Sequence, residues 1–373
     1  MKILILSCNI GEGHNSASKA IKEEFDVMGI ECEIRDTLSF ASEKISRFVS
    51  DTYVKMVINT PEIWGKMYEA GKKYPANKRY KSPVYFSCGL FAEKVSRYIN
   101  NEGYDAVIMT HLYPGEVLTY LKRRGKIDKR LYFVSTDYSP CPLLEECDAD
   151  RFFIPHKDLA EDYIDRGIDG DRLVATGIPV SRRFNNRLSK EEARKRLGLP
   201  IDRKIALIMS GSMGYGNLRS TSDQLYREDP DVIQLILGGN NEEMKEKLRK
   251  DTLGNDSIRI LDYTTDVPMF MDACDVLFTK PGGLTSTEAC VKNIPMIHTD
   301  PIPGNEMENI DFFTAHGLSV YKEDISESVR EAVNLLNNRE AAVKMIKAQD
   351  NEINADAAKD IADTVVRDLT KGN

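Results

Sequence analysis

Apolar residues recur along this chain in two rhythms. Short continuous runs, of which KILILS at 2–7 is the first, alternate with longer stretches whose apolar positions fall three or four apart. Runs of the first kind recur at 31–35, 106–110, 131–135, 151–154 and 173–175, and again at 204–209, 232–237, 258–261, 276–279 and 295–299. A strand that is apolar on both faces belongs in a parallel sheet covered by helices on both sides, so the alternation predicts an α/β protein. Helix-period stretches fill the intervals, beginning with about 15–28, and residues 40–100 read as helices throughout.

The rhythm breaks once. Gly177-Ile178-Pro179-Val180 leads into a polar, basic stretch at 181–196, after which the strand and helix alternation starts afresh. The pattern therefore predicts two doubly wound, Rossmann-like domains, at 1–180 and 190–345. A terminal segment at 346–373, helical over about 350–369, could pack back on the first domain.

Composition narrows the class. The chain has 373 residues, 41% hydrophobic and 29% charged, enough for two cores and unlike a disordered protein. No apolar run approaches the roughly 20 residues that cross a bilayer. The opening run passes straight into a glycine turn, as a first strand does and a signal peptide does not. Seven cysteines form no C-x-x-C pair and no metal spacing, so a cytoplasmic location is expected. Charge is uneven. Residues 40–130 hold 17 Lys plus Arg against 9 Asp plus Glu, a local balance of +8 inside a chain of net −8. That favours a local anionic partner over nucleic acid. Within it Phe48, Tyr53, Trp64, Tyr68 and Tyr74 interleave with Lys55, Lys66, Lys72, Lys73, Lys78, Arg79 and Lys81. Aromatics among lysines suit an anionic membrane surface, and a packed helical insert with a basic outer side is the rival reading.

In doubly wound folds ligands bind beyond the carboxyl ends of the strands, where helix N-termini offer free N–H groups. Three loops fall there. Gly11-Glu12-Gly13-His14 follows the first strand; it lacks the third glycine of a dinucleotide site, and His14 reads as a site residue or a simple cap. Ser210-Gly211-Ser212-Met213-Gly214 follows the first strand of the second half and is neither a P-loop nor a kinase loop, since no lysine follows. Lys280-Pro281-Gly282-Gly283-Leu284-Thr285-Ser286-Thr287-Glu288 is the most informative. Its turn opens a helix that Thr285 could cap, and Glu288 is either the partner in a capping box or an acceptor for ribose hydroxyls. The loop Pro303-Gly304-Asn305-Glu306-Met307-Glu308-Asn309 supplies amides and carboxylates suited to sugar hydroxyls. The D-x-D triplets at 148–150, 169–171 and 229–231 coincide with no such loop, so no metal site is expected.

KPGGLTSTEA followed by PIPGNEMEN resembles the donor-site signature of UDP-sugar transferases with the GT-B fold, two Rossmann-like domains facing a cleft. With GEGHNSASKAI, Ser135-Thr136-Asp137-Tyr138, Ala175-Thr176-Gly177-Ile178-Pro179 and Ser210-Gly211-Ser212-Met213-Gly214 in order, the chain is most similar to the monogalactosyldiacylglycerol synthase and processive diacylglycerol glucosyltransferase group. The resemblance implies an inverting, metal-independent hexosyltransferase without a cofactor, taking a UDP-sugar as donor and a lipid such as diacylglycerol as acceptor, at the inner face of the membrane. It implies that Glu288 binds ribose and that Gly283, Leu284 and Thr285, with Gly282, cover the diphosphate. Gly304, Asn305, Glu306 and Asn309 would hold sugar and phosphates, backbone near Tyr263 would pair with uracil, and Gly13, Gly211, Ser212 and Met213 would line the donor. His14 would be the general base or a phosphate contact, and Asp137 an acceptor contact or a helix cap. Two departures stand out. Asn305 replaces the group's usual Gln, and neither the His nor the Trp that usually follows Thr136-Asp137 is present. Other acceptors (a polyprenyl carrier, a metabolite or a peptide) and an isomerase of the UDP-N-acetylglucosamine 2-epimerase type are the alternatives.

Overall fold

The computed structural model describes residues 1–74, 81–211 and 213–371. They divide into two compact units, one of residues 1–182, 303–305 and 354–373, the other of 183–302 and 306–353.

The first unit carries a six-stranded parallel sheet in the order β2-β1-β3-β4-β5-β6. Its elements are β1 (Lys2–Ser7), α1 (Glu12–Val27), β2 (Glu31–Asp36), α2 (Glu43–Asn59), α3 (Pro61–Lys73), α4 (Pro83–Glu102), β3 (Ala106–Met109), α5 (Leu112–Lys122), β4 (Arg130–Val134), β5 (Arg151–Ile154), α6 (Ala160–Asp165) and β6 (Leu173–Ala175). The apolar runs sink completely: Ile3, Leu4, Ile5 and Leu6 expose no surface. Each such side chain contributes about 1.5–3 kcal/mol by leaving water.

The second unit repeats the plan in the order β12-β11-β10-β7-β8-β9. After α7 (Arg182–Asn185) and α8 (Lys190–Leu197) come β7 (Ile205–Met209), α9 (Leu218–Glu228), β8 (Ile233–Leu237), α10 (Glu242–Asp251), β9 (Ile258–Leu261), α11 (Val267–Ala273), β10 (Val276–Thr279), α12 (Gly283–Val291), β11 (Met296–His298), α13 (Asn305–Ala315), β12 (Val320–Tyr321), α14 (Ile325–Asn337) and α15 (Arg339–Glu352). Ile208, Ile236, Phe278 and Ile297 from four strands meet Val329 and Leu335 of α14 in one core.

The last helix, α16 (Ala357–Lys371), is part of the first unit, where Ile361 and Val365 pack with Ile21, Phe25 and Tyr132. The single helix expected over 350–369 is in fact two pieces separated at 353–356. Asn354 makes the break: its amide donates to the Thr176 carbonyl at 2.8 Å, and its side-chain oxygen accepts from Asp356 N at 3.0 Å, bonds that compete with helix continuation.

α2, α3 and α4 form the segment read as aromatic and basic. Tyr68 is buried, and Tyr53 meets Trp64 edge to face with centroids 5.1 Å apart, so these aromatics serve packing rather than an outer face. The apolar side chains left in water include Phe48, Met67, Phe86 and Leu90, the last 89% exposed. Lys78 and Arg79 lie outside the described residues. No helix among the described residues is long and apolar enough to cross a membrane.

One buried group is out of keeping with its surroundings. Glu116 of α5 is fully buried, with the acidic Glu146 as its neighbour. Burial, reinforced by Glu146, pushes its carboxyl up to about 9. The folded protein therefore holds a proton here that the unfolded chain releases above pH 4.5, and stability is lost as pH rises from there toward 9, by about 1.4 kcal/mol per pH unit. Glu116→Gln keeps the shape and removes the titration. It is expected to unfold at higher denaturant than the parent, with a gap that widens from pH 5 to pH 8; a gap independent of pH would refute the assignment.

Candidate functional site

Each sheet has one place where successive connections leave in opposite directions, and a crevice opens there beyond the carboxyl ends of the strands. In the second sheet it lies between β7 and β10, in the first between β1 and β3.

In the second unit, the loop after β7 and the loop before α12 flank this crevice. They are close: a Cβ added to Gly211 would lie 2.8 Å from Lys280 Cε, and Gly211 has φ +68, so glycine is required there. Met213 is half-buried in the same loop, and Ser212 lies outside the described residues. Helix α12 begins at Gly283 with Gly282 as its N-cap and no side-chain cap. The helix thus starts earlier than the expected Thr285 cap. Thr285 sits within the first turn, so the capping box with Glu288 is not formed. The physical consequence is that the first-turn amides of Gly283, Leu284 and Thr285 are left without an intrahelical partner, at the positive end of the helix.

Glu288 stands one turn further in. It is half-buried and has no hydrogen-bond or ion-pair partner among the described residues. Burial alone pushes its carboxyl up to about 8. A carboxylate drawn out of water without a protein partner is the one feature here that structural needs do not explain.

Glu306 and Asn309 are engaged within the protein. One Glu306 oxygen takes the ammonium of Lys280 and the other accepts Ile302 N at 2.8 Å, while Asn309 Nδ2 donates to the Pro281 carbonyl at 2.9 Å. Both are buried and bind the loop rather than point away from it. They brace the Pro-Gly-Gly turn, and the pair sets Lys280 beside Gly211 and Gly282. Lys280 was the residue that motif reading passed over; a lysine directly before the turn was the available signal. Gly304 and Asn305 group with the first unit, Asn305 being the first residue of α13. Tyr263 is 68% exposed in the loop after β9, three strand spacings from β10, or about 14 Å. His298 ends β11 fully buried, its ring between Ser286 and Ser319 at 2.9 and 3.0 Å, and burial holds it neutral down to about 3.

In the first unit, α1 opens at Glu12 with Gly11 as N-cap, at φ +78, and again no side-chain cap. Gly13 and His14 lie in its first turn, both half-buried. His14 Nδ1 is 2.7 Å from the Thr110 carbonyl beyond β3 and 3.0 Å from Thr136 Oγ1 beyond β4. A carbonyl only accepts, so Nδ1 carries the hydrogen and Nε2 keeps its lone pair. Burial lowers the basicity of the ring, and the nearby Asp137 works against that. Asp137 thus joins His14 electrostatically. No helix starts at Asp137, which removes the cap reading. His111 and His156 are caps, accepting from Tyr113 N and Asp158 N. The D-x-D triplets are structural. Asp148 and Asp150 pair with Lys122, while Asp169 and Asp229 accept from Asp171 N and Asp231 N.

With this geometry in view, the comparisons with known proteins are informative. The sequence model for monogalactosyldiacylglycerol (MGDG) synthase matches residues 14–180. A processive diacylglycerol beta-glucosyltransferase of Bacillus mycoides is 26% identical over 368 residues, covering 98% of this chain and 93% of its own. Among solved structures, the MurG of Acinetobacter baumannii superposes with a TM-score of 0.64 at 15% identity, covering 98% of this chain and 99% of that one. A UDP-GlcNAc 2-epimerase of Neisseria meningitidis, bound to UDP-GlcNAc, does so with 0.63 at 12% identity, covering 98% and 100%. The chain has a GT-B-type fold, built from two Rossmann-like domains. Within that class it resembles the monogalactosyldiacylglycerol synthase and processive diacylglycerol glucosyltransferase family.

Proposed function

We propose that this chain transfers a hexose from a UDP-sugar, with inversion, to a lipid acceptor such as diacylglycerol, while resting on the inner face of a membrane. The observation that carries the donor reading is Glu288, partnerless one turn inside a helix whose first amides are uncapped. A uridine diphosphate satisfies both needs at once, its phosphates on the amides of Gly283, Leu284 and Thr285 and its ribose hydroxyls on the carboxylate. Gly282, Gly211 and Met213 line the phosphates and Lys280 adds a positive charge beside them, while backbone near Tyr263 takes the uracil edge and Gly304 and Asn305 the sugar. In the reaction an acceptor oxygen bonds to the anomeric carbon as the bond to UDP breaks. The acceptor proton passes to His14 Nε2, and the electron pair leaves with UDP, whose charge the helix end stabilises without a cofactor. Asp137 favours the imidazolium that forms.

The names of the sequence relatives support a lipid acceptor, and the exposed Phe48, Met67, Phe86 and Leu90, the first two directly following Arg47 and Lys66 in the chain, support an anionic membrane surface. UDP release is the measurement, from UDP-glucose, UDP-galactose and UDP-N-acetylglucosamine, with diacylglycerol in phosphatidylglycerol or phosphatidylcholine vesicles. Release that requires the lipid, is faster on anionic vesicles and yields a glycolipid on chromatography is expected. Epimerised donor without acceptor, or no release with any lipid, would sink the proposal.

A further inference from the structure

At the opposite edge of the first sheet, where the strands begin, three arginines line up. Arg130 is the first residue of β4, Arg151 the first of β5, and Arg172 directly precedes β6. The register places Tyr132 level with Arg151, and Phe152 level with Leu173, so Arg151 is level with Arg172. Side chains level across a sheet share a face, as do those two apart on a strand. Arg130, Tyr132, Arg151 and Arg172 therefore all lie on the face that α16 covers. The last turn of α16 brings Asp368 and Lys371 to the same place.

Between them lies a half-open pocket of about 280 Å³, lined by Arg130, Asp150, Arg151, Arg172, Asp368 and Lys371. It approaches the roughly 300 Å³ at which ligand pockets begin. Its four cations exceed its two carboxylates by two charges. The ion pairs present leave donors over. Arg151 spends Nε on Asp368 and Nη1 on the Asp171 carbonyl, and Arg172 spends Nη1 on Asp148. Arg130 reaches Asp150 only at 3.9 Å, and Lys371 has no partner among the described residues. Beneath them the Tyr132 hydroxyl is fully buried, has no hydrogen-bond partner among the described residues, and has Asp368, Arg130, Asp150 and Arg151 as its charged neighbours. A salt-bridge brace for α16 would not need the surplus charge.

We propose that this cavity is a binding site for a phosphate-ester anion, separate from the site around His14 by about 20 Å along β4. A phosphate bearing two negative charges balances the surplus, and its planar guanidinium partners donate in pairs. Nothing in the donor reading is required for it.

The test is calorimetric titration of the full chain with inorganic phosphate, at saturating UDP so that a diphosphate site is already filled, against chloride of equal ionic strength. Saturable binding is expected, weakened at least tenfold in Arg130→Gln/Lys371→Gln, two exposed positions whose substitution leaves the thermal melt unchanged. Absence of saturation, or equal affinity in the double variant, would overturn the proposal. Where phosphate binds as expected, co-sedimentation with phosphatidic acid vesicles names the source: a deficit in the double variant assigns the site to a lipid headgroup, and equal sedimentation assigns it to a soluble phosphate ester.

Discussion

Replacing Glu288 by alanine is expected to weaken UDP binding about 100-fold while leaving the fold intact. The side chain has no partner to orphan among the described residues, so its loss costs the ligand and little else. Two hydrogen bonds from ribose to a charged carboxylate are each worth about 1.5–3 kcal/mol, and water recovers part of that in the variant. A pH signature accompanies the loss. Burial pushes the free carboxyl up to about 8, and only the ionised form accepts both hydroxyls. UDP affinity in the parent is therefore expected to rise as pH increases from 6.5 and to level off above about 8, roughly tenfold per unit where the group is protonated, with one proton released on binding. Glu288→Gln should bind weakly at every pH without that slope. Calorimetric titration in buffers of different ionisation heat measures both, and near-parental affinity in the alanine variant would remove Glu288 from the site.

His14→Ala is expected to lower kcat by a factor of about 10² to 10⁴, the range a positioned general base supplies, with the affinity for UDP changed far less. The ring is suited to the role because burial lowers its basicity and keeps it neutral near pH 7, while the Thr110 carbonyl fixes the hydrogen on Nδ1. A phosphate ligand would behave oppositely, losing donor affinity before turnover. The split between KM for the donor and kcat thus decides between the two roles. Thr136→Val, which removes the hydroxyl 3.0 Å from Nδ1, should give a smaller fall in kcat of the same kind. Unchanged kcat in His14→Ala would exclude the base.

Much of the architecture was legible because burial on both faces forces a sequence to advertise it. Runs such as Ile3–Leu6 and Ile205–Ile208 have few polar positions, and only a covered parallel strand tolerates that. Glycine was legible in the same way, since Gly11 and Gly211 hold backbone angles that other residues rarely take. Helix ends were harder to place. Thr285 looked like a cap, yet Pro281-Gly282 turns the chain soon enough for the helix to start before it. Asn354 broke a helix that periodicity ran through, because its amide found a backbone carbonyl 178 residues away, at Thr176.

The sequence by itself determined the alternation of strand and helix and the glycine turns after the first strand of each domain and before Glu288. These depend on hydrophobic period and on local backbone freedom, which neighbouring residues decide. Only the tertiary structure decided that His14 meets Thr110 and Thr136, that Glu306 is occupied by Lys280 while Glu288 stands alone, and that three strand-leading arginines converge under α16. Each of those depends on strand order and register, which bring together residues from 26 to more than 200 positions apart, and no local pattern in a chain records which distant charge will lie beside which.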